Sequence, residues 1–211
     1  MTDPGATTTD IAAADLGAEQ SYRLLTGLVV PRPIAWVTTL SATQSVNLAP
    51  FSHFTFVSPK PPMLAISVGR KGDTYKDTAT NILRTEEFVV HIADSSLVGP
   101  LHDSAEEHPP DVSEADLLGL ETVPSLHVKV PRLKIAPVAM ECRLRHCIEF
   151  GETRSRLLVG EVLVFRLRPD LLKDGKVDTR SLDPIGRIAG PNYARLGEII
   201  TQRAIQQTSK S

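Results

Sequence analysis

Hydrophobic and polar positions alternate along this chain in short runs rich in β-branched and aromatic residues, and long stretches of helical spacing are few. Strands are expected over 34–40, 46–57, 63–68, 88–92, 139–149 and 157–168. The first two form a hairpin about the turn-rich stretch Ser41 to Ser45. Pro31 and Pro33 exclude a helix before it, and Pro59, Pro61 and Pro62 break the chain after it. The pattern predicts one helical turn over 21–25 and a helix over 78–84. It also predicts one or two short helices within the loop-rich 95–131, a turn over 170–172 and a terminal helix over 193–205. Strands do not alternate with long helices, so a doubly wound sheet is disfavoured. A mostly β fold is expected, a closed or nearly closed antiparallel barrel with peripheral helices. One domain is expected over 21–205, between flexible tails at 1–20 and 206–211.

Composition narrows the partners. The net charge is −2 over 211 residues, so no global basic field favours nucleic acid or an anionic membrane. No apolar run approaches the ~18 residues of a spanning helix. The first residues lack the basic and apolar regions of a signal peptide, which gives a cytoplasmic expectation. Asp103, Glu106, Glu107, Asp111, Glu114 and Asp116 read as a solvated acidic loop. Cys142 and Cys147 lie five residues apart in one strand, on opposite faces, so buried free thiols are expected and no disulfide.

The chemistry concentrates between Ser45 and Ile82. Asn47 and Ser52 offer donors and acceptors. Ala49 and Pro50 allow close backbone approach, and Pro50 suggests an edge or bulge. Phe51 and Phe54 either pack in the core or wall a ring, and Trp36 poses the same choice. Lys76-Asp77-Thr78 opens a helix, where Asp77 or Thr78 is either a cap or part of an anion cradle with Lys76 and Arg70. Gly69-Arg70-Lys71-Gly72 is not a P-loop, and no dinucleotide fingerprint follows a strand. Ser52-His53 is not a hydrolase pair, because adjacent strand residues face opposite ways and no Gly-x-Ser-x-Gly surrounds them. The six histidines show no metal-ligand spacing. Glu141 and Glu161 read as structural partners of nearby arginines. Small residues, amides, hydroxyls and cations in this mixture suit a flat polar ring joined to a phosphate.

In order along the chain, these segments resemble the flavin reductase-like family of FMN-binding split barrels. The landmarks are Tyr22-Arg-Leu-Leu-Thr-Gly27, Pro31-Arg-Pro-Ile-Ala-Trp-Val37, Asn47-Leu-Ala-Pro-Phe-Ser52, Ser67-Val-Gly-Arg70 and Lys76-Asp-Thr78 with Asn81-Ile82. Glu87-Phe-Val-Val90, Glu141-Cys-Arg143, Gly160-Glu-Val162 and Gly186-Arg187 complete them. The resemblance implies a six-stranded antiparallel split barrel that pairs as a homodimer and binds FMN, less often FAD, near the subunit interface. It places Trp36 and Thr38 with Asn47, Leu48, Ala49, Pro50, Phe51 and Ser52 towards the isoalloxazine ring. It places Ser67, Val68, Gly69, Arg70, Lys76, Asp77 and Thr78 towards the ribityl phosphate. His53 departs from many relatives. The loop 151–156 lacks the histidine many of them carry and offers Arg154 and Arg156 instead.

Three functions follow. The leading one is an NAD(P)H-dependent flavin oxidoreductase, in which hydride chemistry is carried by the flavin and no catalytic side chain is required. Its reduced flavin would serve a partner monooxygenase or another electron-acceptor protein. The second is a non-catalytic, flavoredoxin-like FMN electron carrier reduced by a protein partner. The third is a flavin-free barrel that keeps only the fold. The 99–131 segment is expected to cover the site and set substrate choice.

Overall fold

The computed structural model describes residues 8–205. The 206–211 tail and the first seven residues of the N-terminal tail lie outside that range. Helix α1 spans Ala18–Leu28 and begins inside the stretch read as a tail. The chain continues through β1 (Arg32–Pro33), β2 (Ala35–Leu40), β3 (Val46–Phe51), β4 (Phe54–Pro59) and β5 (Pro62–Val68). Helix α2 (Asp77–Thr85) and β6 (Glu87–Ile92) follow. Two short helices, α3 (Val98–Asp103) and α4 (Glu114–Leu117), lie in the loop-rich segment. Two long strands, β7 (Val138–Phe150) and β8 (Ser155–Leu167), complete the main sheet, and β9 (Gly186–Arg187) and β10 (Tyr193–Ala194) pair beside β1.

The main sheet is antiparallel throughout, in the order β3-β2-β6-β7-β8-β5-β4. Its two outermost strands are consecutive in the chain and only Ser52 and His53 separate them. A flat sheet would hold those edges far apart, so the sheet must curl until they meet, which is the barrel. The expected single strand over 46–57 is therefore one strand broken at Ser52-His53. Its first half pairs with β2 and its second half with β5. Seven strands stand where six were expected for this reason. Pro50, which cannot donate to a ladder, lies on the strand at the sheet's edge.

Alternating side chains fill both faces of the curl. Val37, Ile66, Phe88, Val90, Met140 and Leu158 pack inside with Ile82 of α2. Ile34, Trp36, Leu48, Leu101 and Leu133 pack outside, under α3 and α4. This explains why every residue of β2 is buried. Gly160 is the point of closest approach inside, since a Cβ there would overlap the Phe88 ring. That contact gives the Gly-Glu-Val landmark a packing reason.

His91 ties the two layers. Its Nδ1 lies 2.9 Å from the Trp36 carbonyl, and its Nε2 accepts the Leu133 N–H at 3.0 Å. Nδ1 must therefore carry the proton and the ring is neutral. Burial, its largest cause, lowers the His91 pKa from 6.5 to about 4. A histidine depressed on folding contributes stability that is present above its unfolded pKa and is lost as pH falls towards the folded value. The His91 contribution should therefore decline by about 3 kcal/mol between pH 6.5 and 4. Urea midpoints across that window, compared with those of His91→Gln, measure it. A slope unchanged by the substitution would refute the assignment.

Two expectations fail at the level of local structure. Residues 195–205 form no helix, and only Tyr193–Ala194 are regular there. The apolar spacing is helical, but Leu196, Ile199, Ile200 and Ile205 are exposed, and a short helix with no packed face is marginal in water. Cys147 is also exposed rather than buried, while Cys142 is buried and free as expected. The bulges in β7 lie on either side of that shift in facing.

Candidate flavin site

Where β3 breaks into β4, the barrel rim opens into a cleft of about 740 Å³, within the usual range for small-molecule sites. Pro50, Phe51, Ser52 and His53 form one wall. Ser67, Gly69 and Arg70 at the end of β5 form a second. Lys76 closes a third, and Arg154 and Ser155 reach in from the turn joining β7 to β8. A narrower lobe of about 90 Å³ adds Asn47, Ala49, Asp77 and Thr78 and runs beneath the segment carrying Glu107, His108 and Glu114.

The start of α2 supplies the strongest local signal. Lys76, not Asp77 or Thr78, occupies the N-cap position, and no side chain caps the helix there. The expectation of an Asp77 or Thr78 cap is corrected on this point. Lys76 has extended backbone, and its carbonyl accepts from Ala79 and Thr80. Among the described residues, the N–H groups of Asp77 and Thr78 find no partner. Two free donors at the positive end of a helix, beside an exposed ammonium with no ion pair among the described residues, form an anion cradle. The donor set therefore fits a phosphate.

The polar side chains near the cradle are already oriented. Asn47 donates from Nδ2 to the Thr78 hydroxyl at 3.0 Å, and both residues are buried. Ser52 accepts from Arg32 Nε at 3.3 Å and keeps its own proton free to donate elsewhere. Tyr75 lies between two guanidinium groups, Arg156 at 3.3 Å and Arg70 at 4.6 Å from the ring centroid. Its hydroxyl donates to Glu149 at 2.7 Å. Arg154 also binds Glu149, at 2.9 Å, so the arginine that enters the cleft is braced. Hydrogen bonds from Arg154, then from Tyr75, hold the Glu149 carboxyl below its ordinary range. The His53 pKa is lowered, by burial first and then by Arg32, which favours a neutral ring at the cleft. Glu114 accepts the Leu48 N–H at 2.8 Å and pins the covering segment to β3. Burial raises the Glu114 pKa.

Trp36, Thr38, Leu48 and Val68 are the site candidates whose side chains the fold places in the core rather than on the cleft walls. The Trp36 indole donates to Ser104 at 2.8 Å, and the Thr38 hydroxyl donates to the Pro131 carbonyl at 2.8 Å. Their strands border the cleft, but their side chains are committed to packing. Residues missed at first are Tyr22 on the main wall and Arg32 and Arg187 in a side chamber. A cation between two prolines in an apolar stretch was the available signal for Arg32. Among the described residues, no cluster of His, Cys, Asp and Glu could hold a metal, and no helix is long and apolar enough to cross a membrane.

Comparison with known proteins gives the chain's family and fold. The family model for the flavin reductase like domain matches residues 27–181. An uncharacterized protein of Bacillus subtilis, YwrF, is 43% identical over 195 residues, covering 90% of this chain and 95% of the relative. Nitrilotriacetate monooxygenase component B from Bacillus cereus superposes with a TM-score of 0.90 at 37% identity, covering 93% of this chain and 100% of that one. The 2-nitrobenzoate 2-nitroreductase NbaA of Pseudomonas fluorescens gives a TM-score of 0.85 at 34% identity, covering 93% and 96%. The match of that family model to most of the chain, with a relative 43% identical over nine-tenths of it, shows that this protein belongs to the flavin reductase like family.

Proposed function

We propose that the protein binds FMN in this cleft and acts as an NAD(P)H-dependent flavin reductase. The uncapped start of α2 beside Lys76 carries the reading, because it offers a phosphate unpaired N–H donors and a free cation together. The chemistry FMN supplies when bound is two-electron transfer from the nicotinamide to an acceptor. Lys76, Arg70 and the α2 donors hold the phosphate end. Ser52 and Asn47 present polar groups to the ring end, where donors stabilise developing negative charge. Pro50 and Phe51 give that end an apolar wall, and Arg154 lines the same cleft.

The relatives support two destinations for the electrons. One of them is a component of a monooxygenase, which favours delivery of reduced flavin to a partner enzyme. Another is a nitroreductase, which favours direct reduction of a small molecule. Exposed apolar side chains on α1, Leu25 and Leu28, and on the strands, Phe56, Phe150 and Phe165, support pairing of two copies.

Anaerobic mixing of the protein, FMN and NADH or NADPH tests the reading through bleaching of the visible flavin band. No bleaching with either nucleotide rejects the reductase. Tight FMN retention with reduction only by dithionite would favour the electron carrier. Lys76→Ala is expected to weaken FMN binding by about 1–2 kcal/mol, since one solvent-exposed charged contact is lost. Fluorescence titration of FMN measures it. An unchanged affinity would put the phosphate elsewhere. Thr78→Ala is a poorer probe, because it also orphans the Asn47 amide.

A further inference from the structure

Beside the cleft lies a second chamber of about 310 Å³, which shares Tyr22, Pro50, Ser52 and Lys76 with it. Two arginines from separate sequence landmarks, Arg32 of Pro31-Arg32-Pro33 and Arg187 of Gly186-Arg187, stand in its wall. The short strands β1 and β9 pair so that Arg32 lies directly opposite Arg187. Like charges placed opposite each other on an antiparallel pair are destabilising. No carboxylate lies in the chamber wall to neutralise the pair.

Arg32 is buried without an acid. Its protons go to the carbonyls of Thr26 and Val29 at 2.7 Å each, to Ile188 at 3.1 Å and to the Ser52 hydroxyl. One of a guanidinium's five protons is then left over. Arg187 donates to the Gly190 carbonyl at 2.9 Å and the Tyr193 hydroxyl at 2.5 Å, and it stacks on the Tyr193 ring at 4.7 Å from the centroid. Three of its protons remain free. Neither arginine has an ion pair among the described residues. His102 Nδ1 lies 2.9 Å from the same Tyr193 hydroxyl, which helps to hold the ring under Arg187.

We propose that this chamber is an oxyanion subsite: Arg187, with Arg32 behind it, holds the carboxylate or phosphate of a planar molecule that exchanges electrons with the flavin. The assignment rests on the flavin reading for what the anion is brought to. Arg32 is the positioning residue, since it orients Ser52 and fixes the wall. Arg187 is the contact residue.

Calorimetry on the full-length protein, with FMN bound and without it, tests the subsite. In the loaded protein the phosphate cradle is filled, so an anion that still binds reports the chamber. One arm compares benzoate with its neutral isostere benzamide. The other compares nicotinamide mononucleotide with nicotinamide riboside. Preference for the charged member by ~10-fold or more in either arm supports the proposal and identifies a carboxylate or a phosphate as the guest. The preference should weaken with salt, vanish in Arg187→Gln and survive in Arg187→Lys. Equal affinity for charged and neutral members in both arms, or a preference that Arg187→Gln leaves intact, overturns it. Should Arg187→Gln fail to fold, the wild-type comparison and its salt dependence still decide. Failure of FMN to bind would count against the flavin reading, while loss of the charged-over-neutral preference in Arg187→Gln, measured on the unloaded protein, would still separate the chamber from the α2 cradle.

Discussion

Trp36→Ala should destabilise the protein by about 4 kcal/mol, the upper part of the range for single core truncations. Trp36 is the largest of the side chains that are wholly buried. It fills the layer between the barrel and the covering helices, with Ile34, Leu48, Leu101 and Leu133 around it. Removing the indole leaves a cavity that this antiparallel frame cannot close. It also strands the Ser104 hydroxyl that accepts the indole proton, although Ser104 can still donate to the Leu101 carbonyl. Trp36→Phe keeps most of the apolar area and should lose about half as much. Because the indole does not line the cleft, Trp36→Phe should leave FMN affinity within about threefold, a change of well under 1 kcal/mol. Denaturant unfolding and flavin titration on the same samples separate the two roles. A stable Trp36→Phe protein with FMN binding lost would return Trp36 to the ring wall.

Glu141→Ala is expected to cost on the order of 4 kcal/mol, from two hydrogen bonds to a charged acceptor at about 2 kcal/mol each. Glu141 lies in the middle of the sheet on β7 with no exposed surface. Its two oxygens accept the N–H groups of Leu126 at 2.8 Å and His127 at 2.6 Å. Those residues belong to the turn that returns the covering segment to the barrel, and Glu87 holds the same turn through the Lys129 N–H at 2.7 Å. Loss of Glu141 should free the turn before the sheet melts. Hydrogen exchange at 125–130 should therefore rise by more than the global change in stability accounts for. Glu141→Gln, which keeps one acceptor and turns a donor towards the other N–H, should lie between the two. Uniform loss of protection across the sheet would mean that the carboxylate braces the barrel rather than the turn.

Both residues show how far the sequence reaches. The pairing of Glu141 with a nearby arginine was the natural reading of a carboxylate in a basic strand, but its partners are backbone amides from a loop fourteen and fifteen residues away. Backbone donors carry no sequence signature. The ring-or-core choice at Trp36 was likewise open, since period-2 alternation says that neighbours face opposite ways without saying what lies on each side. The terminal helix failed because apolar spacing states a preference for a period, while a short helix needs a surface to pack against.

Local chemistry decided much of this protein without tertiary help. The β-branched runs set the strands, the prolines set their ends, and the ordered landmarks from Tyr22 to Gly186-Arg187 marked the family. What only the folded chain decided is where distant residues meet. Curling the sheet until β3 and β4 became its two edges opened the cleft at Ser52-His53. Pairing β1 with β9 set Arg32 against Arg187 across more than 150 positions of sequence. The bare N-terminus of α2 also became visible only in the fold, because a free amide is defined by the absence of a partner. Such pairings are set by backbone geometry and by the burial of both sheet faces, quantities that no short window of residues contains.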